Sequence, residues 1–153
     1  MRKLRFAVPA ALVTLTLAMG LVMTSSSQAL AAGHRIQIHE IFFNSPGPDH
    51  GSNSSLNHEW VQLHNTSGHR IALTGWTLRD TSHHVYKFGT YKIKAHGFVT
   101  IHTGRGSNTQ TDRFWNHGWY VWNNDGDTAT LKDNSGNRID RCSYSGSGSH
   151  VFC

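Results

Sequence analysis

Two neighbouring stretches decide the fold of this chain: Glu59-Trp60-Val61-Gln62-Leu63-His64-Asn65 and Leu73-Thr74-Gly75-Trp76-Thr77-Leu78-Arg79-Asp80. In each, apolar side chains alternate with polar ones at a period of two, which is typical of a strand with one face on a core and the other in water. Between them, Asn65-Thr66-Ser67-Gly68 supplies the small, hydrogen-bonding residues that turns favour. These residues predict two strands joined by a polar turn, with Trp60 and Trp76 interpreted as packing elements.

Short alternating runs recur along the rest of the chain, separated by Gly, Asn, Asp, Ser and Pro. They predict further strands at residues 36–43, 85–88, 91–94, 98–102, 128–131 and 139–144. No stretch after residue 33 has sustained helical periodicity, and polar loops are predicted at residues 44–55 and 104–112. About eight or nine short strands in one domain indicate an all-β, two-sheet sandwich.

The N-terminus has the organisation of a secretory signal peptide. Three basic residues precede an apolar run over residues 6–23, and Ala29-Leu30-Ala31 provides the small-x-small pattern that signal peptidase reads. We expect residues 1–32 to be removed, leaving residues 33–153 as one secreted, extracellular domain. An uncleaved membrane anchor is the alternative, because the apolar run approaches spanning length; Pro9 and the cleavage pattern argue against it.

Removal of the leader changes the charge of the chain. All 153 residues carry 14 Lys and Arg against 9 Asp and Glu, a formal net charge of +5. Three of the positive charges belong to the leader, so 11 remain against 9, a net of +2. All 12 histidines remain, so acidification would add positive charge. A charge this close to neutral does not by itself predict binding to nucleic acid.

Cys142 and Cys153 are the two cysteines of the chain. An even number in an exported protein predicts a disulfide, here one that closes a Ser- and Gly-rich loop over residues 143–152. Chain entropy gives such a bridge about 3 kcal/mol of stabilisation. The alternative, a reactive thiol pair, lacks the Cys-x-x-Cys spacing that favours reactivity.

Four blocks of sequence resemble the lamin tail domain family. The first two are the stretches quoted above; the third combines residues 86–88 with 93–101, and the fourth combines residues 126–133 with 136–140. Together, in the order of the family, they span nearly all of the chain after the leader. The resemblance implies an immunoglobulin-like β-sandwich, in agreement with the strand pattern.

The resemblance also implies a broad functional class. In nuclear lamins this domain is a binding module with proposed contacts to DNA, chromatin and partner proteins, and exported bacterial members are similar modules. The family motif contains no catalytic residues, so none is assigned here. The expectation is a monomeric, non-enzymatic binding or structural module without a cofactor, acting on an extracellular protein, polysaccharide or nucleic acid.

One candidate ligand surface is an aromatic-rich segment that contains Trp115, Trp119, Tyr120 and Trp122. Flat apolar rings stack on sugars or bases, although large aromatic residues also fill sandwich cores. In a strand, alternation would place Tyr120 and Trp122 on one face and Trp119 and Val121 on the other, leaving at least one pair exposed. The segment therefore predicts a site for polysaccharide or bases, with core packing as the alternative.

A second candidate surface is basic. Lys92 and Lys94 lie two residues apart and therefore share one face of a strand. They would form a strip with four further residues, Lys87, His96, Arg105 and Arg113. Such a strip would bind phosphates in a salt-dependent manner, whereas a solvated sheet face explains the same residues without a ligand.

Other motifs point away from metal binding and catalysis. The histidines are scattered, so they are interpreted as solvated polar residues, although two imidazoles on facing strands could hold zinc or copper. Asp125-Gly126-Asp127 has the oxygen density that calcium favours, but it lacks the EF-hand pattern and is interpreted as a turn. The sequence has no Gly-x-Ser-x-Gly elbow, His-Glu-x-x-His motif or phosphate-binding glycine loop, so no metal site and no enzymatic activity are predicted.

Overall fold

The computed structural model describes residues 35–153, in which two main β-sheets pack face to face. This arrangement confirms the predicted all-β, immunoglobulin-like sandwich. The predicted signal peptide, residues 1–32, lies outside the described residues. Within residues 35–153, no helix has both the length and the apolar character needed to cross a membrane.

The elements follow one another along the chain as short strands with one helical turn. They are β1 (Ile36–Phe42), α1 (Asn53–Asn57), β2 (Trp60–Asn65), β3 (Ile71–Ala72), β4 (Thr77–Arg79), β5 (Val85–Lys87), β6 (Lys92–Ile93), β7 (Phe98–His102), β8 (Asp112–Phe114), β9 (Gly126–Lys132), β10 (Arg138–Ser145) and β11 (His150–Phe152). The described residues thus contain eleven strands rather than the eight or nine predicted. The additional strands contain only two or three residues each and are too short to show alternation.

The strands form two large sheets and one small pair. The five-stranded sheet has the order β11-β1-β2-β7-β8, the four-stranded sheet has the order β10-β9-β4-β5, and β3 pairs with β6. Paired strands are antiparallel except β7 and β8, which are parallel. Alternate residues of each strand face the core, so that Val61 and Leu63 of β2 share one buried cluster with Leu78 of β4 and Leu131 of β9.

The second opening stretch is not one strand, as its alternation predicted. Residues 73–76 form a turn in which the Trp76 amide donates a hydrogen bond to the Leu73 carbonyl oxygen at 2.9 Å. Gly75, with φ of +82°, occupies the position of a type II turn that requires a positive φ. Only Thr77–Arg79 enters the sheet, as β4.

The predicted polar loop at residues 44–55 ends in the short helix α1, which the sequence did not predict. The Ser52 side chain caps it by accepting a hydrogen bond from the Ser55 amide at 3.2 Å, and Leu56 buries its side chain. A single helical turn is too short to show a period of 3.6 residues.

The predicted disulfide is present between Cys142 in β10 and Cys153 after β11, with Cα atoms 5.8 Å apart. Because β10 belongs to the four-stranded sheet and β11 to the five-stranded sheet, the bridge joins the two layers. The Cys153 amide also donates a hydrogen bond to the His39 carbonyl oxygen at 3.0 Å. The C-terminal residue is therefore held at the edge of the sandwich.

Candidate functional site

The aromatic segment mostly serves the core. Trp122 is 2% exposed and belongs to the core cluster, so the prediction that it lies on a ligand surface is wrong. Trp115 is partly buried against that core, with its ring edge-on to Trp122 at 6.1 Å. The segment is not a strand, and Val121 and Trp122 are consecutive buried residues, which the predicted alternation excluded.

Of the four predicted aromatic residues, Trp119 is the one with a largely exposed ring, at 57%. It packs on Gly51, where a Cβ atom would lie 2.5 Å from the indole. Tyr120 is half-buried, and its hydroxyl lies 2.6 Å from the Ser55 hydroxyl and accepts a hydrogen bond from the Gly51 amide at 3.4 Å. The predicted aromatic surface is therefore reduced to one indole.

The predicted basic strip is divided between different parts of the molecule. Lys92 and Lys94 are exposed, and Lys92 lies in β6 of the small strand pair. Lys87 lies instead in β5 of the four-stranded sheet. The Arg113 guanidinium packs over the Tyr91 ring at 4.0 Å and is not a free surface cation. The strip does not form as the sequence predicted.

A different basic surface covers the outer face of the four-stranded sheet, and we call it the basic face. Its five cations are Arg79, Lys87, Lys132, Arg138 and Arg141. In the strand register, one row across the sheet runs Val85, Arg79, Thr130, Arg141, and the next runs Lys87, Thr77, Lys132, Arg138. Threonine hydroxyls therefore lie between cations in both rows.

The cations of the basic face form no ion pairs with carboxylates in the described part of the chain. In the described part of the chain, no Lys or Arg nitrogen lies within 4.0 Å of a carboxylate oxygen. Lys132 and Arg138 are even direct cross-strand partners, a like-charge arrangement that destabilises a sheet. Four of these cations, Arg79, Lys132, Arg138 and Arg141, line a groove of about 490 Å³. Asp80 also lines this groove, and its carboxylate accepts hydrogen bonds from His84.

Sequence comparison adds one finding to this geometry. The model of the lamin tail domain family matches residues 29–146, well over half of the chain. This chain belongs to the lamin tail domain family. The family consists of non-catalytic, immunoglobulin-like domains that act as binding or structural modules. A comparison with curated proteins finds no match.

The acidic turn of this lamin tail domain has a structural role. Asp127 is buried, and its Oδ1 accepts hydrogen bonds from the Thr81 hydroxyl at 2.6 Å and the Thr128 amide at 2.7 Å. Its Oδ2 accepts from the side-chain amide of Asn123 at 3.1 Å. Because both oxygens are occupied by donors from the protein, these contacts favour the turn over a calcium site.

The outer face of the five-stranded sheet carries a layer of aromatic and imidazole rings. Five of them occupy matched register positions on adjacent strands: His150, Phe42, Trp60, His102 and Phe114. The Phe42 ring stacks on Trp60 at 5.5 Å, so Trp60 packs on the outer surface of the lamin tail domain rather than in its core. Sequence reasoning missed this layer because it is formed by pairing between distant strands.

A second part of the same face holds His64, His39 and Phe98. The His64 ring stacks on Phe98 at 4.2 Å and lies 5.9 Å from His39. Burial, and then the neighbouring His39 and His96, lower the pKa of His64. This shift favours the uncharged form of the imidazole.

Glu59 of the first opening stretch is a buried carboxyl group rather than a surface acid. Its Oε1 accepts hydrogen bonds from the Thr103 hydroxyl at 2.7 Å and the Val121 amide at 2.8 Å, whereas Oε2 has no partner. Burial raises the pKa of Glu59 to about 7, outweighing these hydrogen bonds, which lower it. Glu59 thereby fastens the segment of Val121 and Trp122 to the end of β7.

Proposed function

We propose that this lamin tail domain is a secreted, non-enzymatic module that binds the phosphates of nucleic acid through the basic face. Membership of the family supports a binding module without catalysis, and the signal-peptide pattern of residues 1–32 supports secretion. The observation that carries the choice of ligand is the set of five cations on one sheet face, none of them paired with a carboxylate in the described part of the chain.

The chemistry of the basic face suits phosphate. Three of its five cations are arginines, whose planar guanidinium groups match phosphate oxygens with two parallel hydrogen bonds. Adjacent strands are about 4.8 Å apart, so Arg79 and Arg141, separated by β9, are roughly 10 Å apart along one row. The hydroxyl of Thr130 between them offers a neutral donor to the same backbone. The cost of placing Lys132 beside Arg138 would be offset by a bound polyanion.

Electrostatic binding of this kind has a measurable salt dependence. Each phosphate contact contributes about −0.9 to the slope of log K against log salt for double-stranded DNA. With four contacts from the basic face, affinity should fall by about 100-fold between 50 and 200 mM salt. The contacts read the phosphate backbone, so we expect little sequence preference.

Fluorescence anisotropy with a labelled DNA duplex at several salt concentrations tests the proposal. Arg79→Ala/Arg141→Ala removes two cations of the basic face and should reduce the salt slope by about 2. Lys92→Ala/Lys94→Ala removes the same charge from the small strand pair and serves as the matched control, with no change in slope expected. Equal weakening by both double variants, or binding that ignores salt, would refute a site on the basic face.

A second candidate function rests on Trp119, whose exposed indole offers a flat face to a sugar ring. Binding to cell-wall polysaccharide through this residue would be insensitive to salt and lost in Trp119→Ala. A pull-down with insoluble cell-wall material at low and high salt distinguishes it from binding to nucleic acid. Retention that disappears at high salt and survives Trp119→Ala would contradict this second function.

A further inference from the structure

Two histidines in loops at one edge of the sandwich, His84 and His117, lie side by side with ring centroids 4.9 Å apart and ring planes at 73°. Sequence reasoning did not bring them together, because they are 33 positions apart in the chain and several strands lie between them. They lie outside the five cations of the basic face. They are also distinct from the ring layer on the five-stranded sheet.

Each of these imidazoles is fixed through its Nδ1 atom. His84 Nδ1 lies 2.5 Å from Oδ2 of Asp80, a fully buried carboxylate whose Oδ1 also accepts a hydrogen bond from the His84 amide at 2.7 Å. His117 Nδ1 donates a hydrogen bond to the Trp119 carbonyl oxygen at 2.8 Å. When Nδ1 is the donor, the Nε2 atom of a neutral imidazole keeps a free lone pair.

A carboxylate and a backbone carbonyl are the partners that usually orient histidines bound to a metal. A second neighbouring pair, His39 and His64, has ring centroids 5.9 Å apart but no such hydrogen bonds among residues 35–153. His102 has protein partners at both ring nitrogens, 2.8 Å from the Asn57 carbonyl and 3.2 Å from Asp112. His84 and His117 differ from His39 and His64 by their Nδ1 partners, and from His102 by an Nε2 atom without a protein partner in the described part of the chain.

The residue before each of these two histidines has a positive φ, which is unusual for a residue other than glycine. Three non-glycine residues of the described chain have positive φ, and two of them, His83 at +73° and Asn116 at +62°, directly precede His84 and His117. Such conformations cost energy and occur often at binding sites, where surrounding contacts hold them. Here the contacts include the His117 amide, which donates to the Thr103 carbonyl oxygen at 2.9 Å.

We propose that His84 and His117 bind one divalent transition-metal ion, Zn²⁺ or Cu²⁺, through their Nε2 atoms. Imidazoles that share a zinc ion at 2.0–2.1 Å with a tetrahedral angle place their ring centroids roughly 5 Å apart, close to the spacing found here. Imidazole nitrogen suits both metals. No group of three or more His, Cys, Asp or Glu is arranged to hold a metal among residues 35–153, so water completes the coordination.

Calorimetric titration of the disulfide-bonded protein with Zn²⁺, after treatment with a chelator, tests the site. We expect one Zn²⁺ per chain, with affinity reduced at least tenfold in His84→Gln and in His117→Gln. His39→Gln/His64→Gln removes the other neighbouring imidazole pair and is the matched control, with unchanged affinity expected. Binding that is absent in the wild type, or lost equally in the control, would overturn the proposal.

A second measurement separates ligation from a structural role. Electron paramagnetic resonance of the Cu²⁺-loaded protein should show coupling to two imidazole nitrogens, and each single His→Gln variant should show one. Asp80→Asn keeps the shape of this positioning residue but removes its negative charge, which weakens the hydrogen bond to His84 Nδ1. The variant should lower Zn²⁺ affinity by about 10- to 100-fold. A Cu²⁺ spectrum unchanged in His84→Gln and His117→Gln would overturn the assignment even if the variants were less stable.

Discussion

Replacement of Glu59 by glutamine should alter how the stability of this protein depends on pH. Glu59 is fully buried, and its Oε1 accepts hydrogen bonds from Thr103 and Val121. A glutamine side chain at this position keeps an acceptor oxygen for both donors but cannot ionise. Comparison of Glu59→Gln with the wild type therefore isolates the cost of placing a negative charge at this position.

The size of the effect follows from the pKa of Glu59, which burial raises from 4.5 to about 7. The folded protein holds the proton of Glu59 more tightly than the unfolded chain does. The stability that the protonated Glu59 contributes is therefore fully present below about pH 4.5, and it is lost as the pH rises through about 7. A shift of this size corresponds to about 3 kcal/mol, since one pKa unit is worth about 1.4 kcal/mol.

Urea denaturation of both proteins between pH 4 and 8.5 measures the difference directly. We expect Glu59→Gln to gain about 3 kcal/mol of unfolding free energy relative to the wild type across this range, because histidines and other groups titrate equally in both proteins and cancel. Glu40→Gln, which removes the other glutamate, serves as the control and should change stability by about 0.5 kcal/mol or less. Parallel curves for Glu59→Gln and the wild type would refute the reasoning.

Four further variants test the fold. Replacing both Cys142 and Cys153 by serine should lower the free energy of unfolding by about 3 kcal/mol in urea denaturation, because the loop closed by the bridge gains entropy when unfolded; unchanged stability would contradict this. Trp122→Ala truncates a core side chain and should lower the free energy of unfolding by about 3–5 kcal/mol. Trp119→Ala should lower it by about 0.5 kcal/mol or less in the same assay. Equal losses in the two variants would contradict the burial of Trp122 and the exposure of Trp119. Gly75→Ala should lower the unfolding free energy by about 1 kcal/mol, since alanine resists the positive φ of the turn; a gain in stability would show that the turn adapts.

The longer strands could be predicted from the sequence because burial alternates cleanly along them. In β2, Val61 and Leu63 are buried while Trp60, Gln62 and His64 are partly exposed, which is the period of two that the sequence displays. The same reasoning failed at residues 73–76, where Leu73 and Gly75 imitate alternation but form a turn. Short turns and strands of two or three residues contain too few positions for any period to be read.

The basic face could not be predicted because it depends on strand order. Its cations come from β4, β5, β9 and β10, and the segments between β5 and β9 belong to other sheets or loops. A signal was present, since Arg79 follows the buried Leu78 and Lys132 follows the buried Leu131. That signal shows which way each side chain points, but the neighbours of each cation follow only from the register of the sheet.

The two outer faces of the sandwich are suited to different ligands at neutral pH. Along the registers of the five-stranded sheet, the outward rows hold aromatic rings, histidines and the acids Glu40 and Asp112, with no Lys or Arg in these described rows. The four-stranded sheet presents its cations without acidic partners. Because exposed charges act over roughly a Debye length of 8–10 Å, and stacked sheets alone are about 10 Å apart, the cations of the basic face act mainly on the side of the sandwich where they lie. In the proposed function, the five cations of the basic face orient the domain on a polyanion.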